Sequence, residues 1–328
     1  MYFPYDINEN FLQRQYISES LKEIGIFTNQ DVMINLFTGQ NAYRGLELFN
    51  DLSARAGVTS LPIGDRCNDE LLHKFVTDFF PTIIAGSPSR ISKYADYCLE
   101  SGFDIHFDQV MYATSSLYPA QKEKIEKAFG VQRVTSIYGS AETGPWAYFD
   151  SNILNTSQFI IADKVSSVEI IDPDEDGYGD IVVTNKLRKR FPVIRYSLGD
   201  IGKVWSQSIH GAECKILEVK GRNTQWVSFS DIQIELDKFE KSLSKYMDWQ
   251  IIQKFDSDGD EIIQVNIYNG SEPSSDFVET QKILDKLCKV NMYAGALKKV
   301  DIQKVEHAEL IKSKISNKVI KIVDKRNQ

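Results

Sequence analysis

Helix-patterned segments and short β-rich runs alternate along the first half of the chain. From Phe11 to Gly25 the apolar residues Leu12, Tyr16, Leu21 and Ile24 fall near helical spacing, which predicts an amphipathic helix. Asp31 to Leu36 reads as a strand, Tyr43 to Ala56 as a helix ending at Gly57, and Val58 to Ile63 as a second strand. Asn68 to Phe80 follows as a helix with Asn68 as its N-cap. Thr82 to Ala85 is a third strand, Ser89 to Ser101 a helix, and Gln109 to Tyr112 a fourth strand. Pro119 to Phe129 is a helix with proline at its start, where a missing N–H costs little, and Val134 to Ile137 is a fifth strand. This rhythm predicts an α/β fold with a mostly parallel sheet covered by helices on both faces. Ligands in such sheets sit at the carboxyl ends of the strands.

Past about Asp150 the pattern changes. Gln158 to Ala162, Val168 to Ile171, Gly179 to Thr184 and Gly202 to Trp205 read as strands separated by Asp/Gly turns. After Arg222 the order becomes helix (Ser230 to Ser244), strand (Trp249 to Phe255), strand (Glu261 to Tyr268), helix (Ser274 to Val290) and strand (Val300 to Val305). That is a small α+β domain. The expected division is therefore 1–221, α/β to about 150 and β-rich over 151–221, followed by 222–328.

Composition narrows the function classes. With 328 residues, 42% of them hydrophobic, the chain can bury a core of enzyme size. A net charge of −8 argues against nonspecific nucleic-acid binding, which needs a basic surface. No apolar run approaches the ~20 residues of a membrane span. Asp6, Glu9 and Glu19 interrupt the N-terminal apolar residues, which excludes a signal-peptide reading. Cys67, Cys98, Cys214 and Cys288 are widely spaced without a CxxC, so inert thiols in a reducing cytoplasm are expected.

Three motifs follow one another in order. Tyr138-Gly139-Ser140-Ala141-Glu142-Thr143-Gly144 carries one acid in a turn of small residues at the end of the fifth strand. Arg195-Tyr196-Ser197-Leu198-Gly199-Asp200 puts an aspartate just past a glycine. Lys220-Gly221-Arg222 offers a lone arginine. An acid able to hold a divalent cation, with a second acid and an arginine able to hold sugar hydroxyls, suits a nucleotide and its metal.

With their surroundings, these motifs resemble the acyl-adenylate-forming superfamily, most closely its phenylacetate-CoA ligase-like branch. Thr82 to Ser89 is similar to that branch's strand-to-"TPS" step, Gln121 to Phe129 to the helix before its "YGxxE" turn, and Asp176 to Asn185 to its "GxGE(I/L)VVT" strand. Phe191 to Asp200 resembles "PVIRYRTGD", and Ser316 to Asp324 resembles "SGKAKRVID".

The resemblance implies a small β-barrel-like region over 151–221 and AMP-forming activation of a carboxylic acid, aryl or another small cyclic acid, with ATP and magnesium. The acyl-adenylate would pass to CoA, a carrier protein, an amine or a reductase partner, in a specialised biosynthetic pathway. It places Glu142 on the metal and Tyr138 against adenine, with core packing as the competing reading for Tyr138. Asp200 falls on the ribose, Arg222 on ribose or phosphate oxygens with an interdomain salt bridge as the competing reading, and Gly139, Ser140, Ala141 and Ser115 around the nucleotide. Ser87, Ala113, Gly144 and Pro145 fall at the acyl pocket, and Lys318 becomes the catalytic lysine. A solvated basic face of Lys312, Lys314, Lys318, Lys321 and Lys325 is the competing reading for Lys318. A homodimer is left open.

The chain also departs from the pattern. The branch's Ser/Thr/Gly-rich phosphate loop would stand just before Met1-Tyr2-Phe3-Pro4-Tyr5. Three readings stay open: a compact active member, a start placed too late, or a relative that binds nucleotide or acyl-adenylate, or scaffolds a partner, without the ATP step. An ATP-independent acyltransferase would also keep the nucleotide site. Ala113-Thr114-Ser115-Ser116 replaces "GAEP", and Gly221-Arg222-Asn223-Thr224-Gln225 replaces the acidic hinge "GRSDD". Trp226 to Ser230 replaces a glycine-bearing loop, which weakens the case for CoA. Asp256-Ser257-Asp258-Gly259-Asp260 begins like a calcium loop but has Glu261 and Ile267 at two key positions, so a hairpin turn is expected there. The four histidines show no ligand spacing, and no GxSxG elbow exists.

Overall fold

A computed structural model describes residues 4–39, 44–222, 226–229, 232–269, 277–293, 295, 297–312 and 319–327. It divides into two compact units, one of residues 1–116 and 125–223, the other of 117–124 and 224–328.

The first unit opens with α1 (Ile7–Glu23), which starts earlier than expected because the Asp6 side chain accepts from the Asn8 and Glu9 N–H groups. Its buried face also differs from the expected stripe. Leu12 is exposed, and Asn10, Gln13, Arg14 and Ser18 are buried with Ile17 and Leu21. Then come β1 (Val32–Asn35), α2 (Gly45–Ala56), β2 (Thr59–Pro62), α3 (Asp69–Phe79), β3 (Ile83–Gly86), α4 (Pro88–Ser101), β4 (Gln109–Tyr112), α5 (Pro119–Phe129), whose residues up to 124 are assigned to the second unit, and β5 (Arg133–Ser140). Asn68 caps α3 through the Leu71 N–H at 2.8 Å, as its position predicts.

Antiparallel strands follow: β6 (Gly144–Asp150), β7 (Gln158–Ile161), β8 (Ser166–Ile171), β9 (Gly179–Asn185), β10 (Tyr196–Ile209) and β11 (Ala212–Arg222). All eleven form one sheet in the order β2-β1-β3-β4-β5-β6-β7-β11-β10-β9-β8. Its first five strands are parallel, and the remaining pairings are antiparallel. The β-rich stretch thus continues the parallel part through β6 and β7. The chain's direction across the sheet reverses between β1 and β3, the kind of crevice at which open α/β sheets take ligands.

The second unit contains the two-stranded sheet of β12 (Trp226–Phe229) and β13 (Ile232–Glu235), then α6 (Leu236–Leu243). The helix expected from Ser230 therefore begins only at Leu236 among the described residues. A four-stranded sheet follows, built from β14 (Asp248–Phe255), β15 (Glu261–Tyr268), β16 (Lys299–Lys304) and β17 (Ile322–Asp324), with α7 (Phe277–Tyr293) between β15 and β16. Its own core includes Phe229, Phe239, Trp249, Ile251, Ile263, Val265 and Leu284.

Candidate nucleotide site

Most of the expected site residues of the parallel strands lie at carboxyl ends. Ser87 follows β3, Ala113 and Ser115 follow β4, and Tyr138 to Glu142 close β5. Ser87 has a structural duty as well, since it caps α4 by accepting from the Arg90 N–H at 3.4 Å. Ala113 is buried and Ser115 half-buried, and between them Thr114 has φ 78°. A β-branched residue in the left-handed region is strained, and such strain concentrates at ligand sites.

The β5–β6 hairpin turns through Ala141, Glu142 and Thr143. Gly139 pairs with Pro145, and Ser140 with Gly144. Gly144 has φ +67°, and a methyl group there would come within 2.6 Å of Gln13 Nε2. The Ser140 and Thr143 hydroxyls lie 3.0 Å apart, and buried Trp146 donates its indole N–H to Thr143 Oγ1 at 3.1 Å. Pro145 is buried with its carbonyl taken by Gln13. Glu142 stands half-buried at the tip. Burial, then the charge and hydrogen bond of Glu142, push the Tyr196 phenol above its usual range, so this tyrosine on β10 faces the Glu142 carboxylate.

Asp200 reaches the same region because β10 loses register with β9 between Ser197 and Ile201, where Gly199 has φ +74°. Bulges of this kind re-aim a side chain. The Tyr138 hydroxyl donates to the Asp200 carboxylate, which is 7% exposed, and so joins the first two motifs directly. The Tyr138 ring packs edge-on to Trp146, with centroids 5.0 Å apart, and lies 5.1 Å from Phe159. Arg222 is paired with Asp200 across β10 and β11 through its backbone, and its side chain lies outside the described residues. Lys318 lies outside them too. On either side of 313–318, Lys312 and Val319 form an isolated antiparallel bridge, and Gln250 donates to the Ile311 and Ile320 carbonyls at 3.0 and 2.7 Å.

A magnesium ion fits Glu142. Mg²⁺ takes one or two carboxylates and completes its shell with phosphate and water oxygens. Among the described residues, the one cluster of three acidic ligands is elsewhere, at Asp256, Asp258 and Asp260. Those three sit in the turn between β14 and β15, as expected, and the Lys298 ammonium lies 2.9, 3.2 and 2.8 Å from them. Cys98 and Cys288 are buried, and desolvation pushes their thiols up to about 11 and about 12. Cys67 and Cys214 are partly exposed.

Sequence reasoning missed Gln13, Asn185, Arg188 and Tyr196. Asn185 had a signal. Ile181 and Val183 are inward positions of β9, so a polar residue at the next inward position marks a buried hydrogen-bonding role. Gln13 had none.

No family model matches the chain. A 2-hydroxyisobutyryl-CoA ligase with 2-HIB-AMP and CoA, in the thioesterification state, shares the fold at a TM-score of 0.63 and 16% identity, over 95% of this chain and 69% of that one. An ATP-bound RpMatB–BxBclM chimera does so at 0.51 and 15%, over 92% and 61%. The chain therefore shares the fold of these two structures. Indoleacetate–lysine synthetase of Pseudomonas savastanoi is 26% identical over 207 residues, 61% of this chain. The match spans about half of that relative, 49% of its length.

Proposed function

We propose that this chain activates a carboxylic acid by AMP-forming adenylation. The observation that carries the reading is the hydrogen bond from Tyr138 to Asp200, which joins two separately recognised motifs. In the proposed step a carboxylate oxygen of the substrate attacks the α-phosphorus of ATP. The bond from that phosphorus to the bridging oxygen breaks, and pyrophosphate leaves. Magnesium at Glu142 would offset charge on the phosphates. Asp200 and Arg222 hold ribose hydroxyls. Lys318 supplies an ammonium to the charge that builds on the equatorial oxygens. The second step attaches the acyl group to an acceptor and releases AMP.

The acid is best taken as an aryl or other small cyclic acid. Two acceptors have support. The similarity to an indoleacetate–lysine synthetase favours an amine, and the fold shared with a CoA ligase favours CoA. Replacement of the hinge acids by Thr224 and Gln225 tips the choice toward the amine.

Acid-dependent ATP–pyrophosphate exchange with Mg²⁺, across a panel of aryl and aliphatic acids, tests the first step. Exchange that disappears in Glu142→Ala is expected. Folded protein that binds AMP but exchanges with no acid would replace this reading by one of a nucleotide- or adenylate-binding relative.

A further inference from the structure

The turn that carries Glu142 is gripped by three buried side chains that belong to none of the recognised motif turns. Gln13, fully buried on α1, donates through Nε2 to the Thr143 carbonyl at 2.9 Å and the Pro145 carbonyl at 2.8 Å. Asn185, 4% exposed at the end of β9, donates to the same Thr143 oxygen at 2.9 Å and to Gln13 Oε1 at 3.2 Å. The Asn185 side-chain oxygen Oδ1 is fixed in turn, accepting from the Leu187 and Arg188 N–H groups at 2.9 and 3.1 Å. Arg188, 8% exposed, donates to the Glu142 carbonyl. Thr143 Oγ1 lies 3.1 Å from the Gly144 carbonyl. Every carbonyl from Glu142 to Pro145 thus has a side-chain donor.

A hairpin closed by a short turn and a left-handed glycine needs no such support to form. Burying an amide or guanidinium is costly unless its hydrogen bonds are well made, so three of them on one turn argue for a demand on position. The residue whose position they set is Glu142, since its own carbonyl and that of its neighbour are the groups held.

We infer that Gln13, Asn185 and Arg188 are positioning residues that fix the Glu142 carboxylate for the metal–nucleotide complex. This rests on the proposed role of Glu142. Position and charge predict opposite signs. Arg188 is a cation beside the carboxylate, so by Coulomb's law alone Arg188→Met would tighten binding of Mg²⁺. Loss of position weakens it.

The test is calorimetric titration of the full chain with Mg·ATP and, separately, with AMP in metal-free buffer. Asn185→Leu and Arg188→Met are expected to lower the Mg·ATP affinity about 10–100-fold, as lost supporting contacts do at metal sites, while AMP affinity stays unchanged. Arg188→Lys keeps a donor and the charge, and should recover part of the loss. It also covers the case in which Asn185→Leu does not fold. Mg·ATP affinity equal to or tighter than wild type in Arg188→Met overturns the inference, as does an equal loss of Mg·ATP and AMP binding. A wild-type chain that binds Mg·ATP no better than Glu142→Ala removes the metal role of Glu142 itself, a failure distinguishable from the first.

Discussion

Tyr138 shows how one side chain can look interchangeable in sequence and be specific in the fold. An aromatic residue at the end of a strand serves equally as an adenine platform or as core. Here the ring is packed among Trp146 and Phe159, and its hydroxyl is committed to Asp200. The polar end therefore does what the ring cannot: it orients a carboxylate that is 7% exposed. Tyr138→Phe keeps the aromatic packing and leaves that carboxylate one donor short, a change that costs about 1–3 kcal/mol when the group is buried. Urea unfolding should show this loss, and AMP affinity should fall with it. Unchanged stability would mean that Asp200 finds water in place of the phenol.

The hairpin of β5 and β6 is the element on which the site depends, and only half of it was legible. The Val134 to Ile137 run announced β5. In β6, Pro145 to Asp150 are all buried, so the strand shows no alternation and reads as an undifferentiated apolar stretch. For β13, Ile232-Gln233-Ile234-Glu235 alternates over too few residues to be told from the first turn of the helix that follows. In α1 the obstacle was different in kind. Its buried face is polar because Gln13 serves the Glu142 turn and Arg14 pairs with Glu47 and Asp51 on α2, partners that no local pattern encodes. The hairpin's sharpest constraint is Gly144. Alanine there incurs the left-handed penalty of about 1–2 kcal/mol, and its methyl group also displaces the Gln13 amide from two carbonyls. Thermal unfolding of Gly144→Ala should fall accordingly, and further than for alanine at the open left-handed Gly25, where nothing lies within 4 Å.

At the scale of the whole chain, the strand–helix rhythm was enough to read the fold class, and the ordered motifs singled out the Tyr138 and Asp200 that the fold joins by a hydrogen bond. Contacts between segments far apart in sequence, such as Tyr138 with Asp200, were not readable, because neither residue alone signals the other. That contact also makes a global prediction. A ligand that binds only the folded state stabilises it by RT ln(1 + [L]/Kd), which is about 2.7 kcal/mol at a hundredfold excess over Kd. AMP should therefore raise the unfolding temperature of the wild-type chain in proportion to the logarithm of its concentration. Asp200→Ala should abolish the rise. Arg326→Met serves as the control. Arg326 is 5% exposed and ion-paired to Glu261 and Asp324, within the second unit, so its loss lowers the starting stability by about 3–5 kcal/mol, the usual cost of breaking a buried pair. Its AMP-dependent rise should nevertheless be preserved. A rise that survives in Asp200→Ala would place the nucleotide away from the Tyr138–Asp200 pair. A rise lost in both variants would mean that AMP binding fails in any destabilised chain, so Asp200 would have no specific claim on the nucleotide.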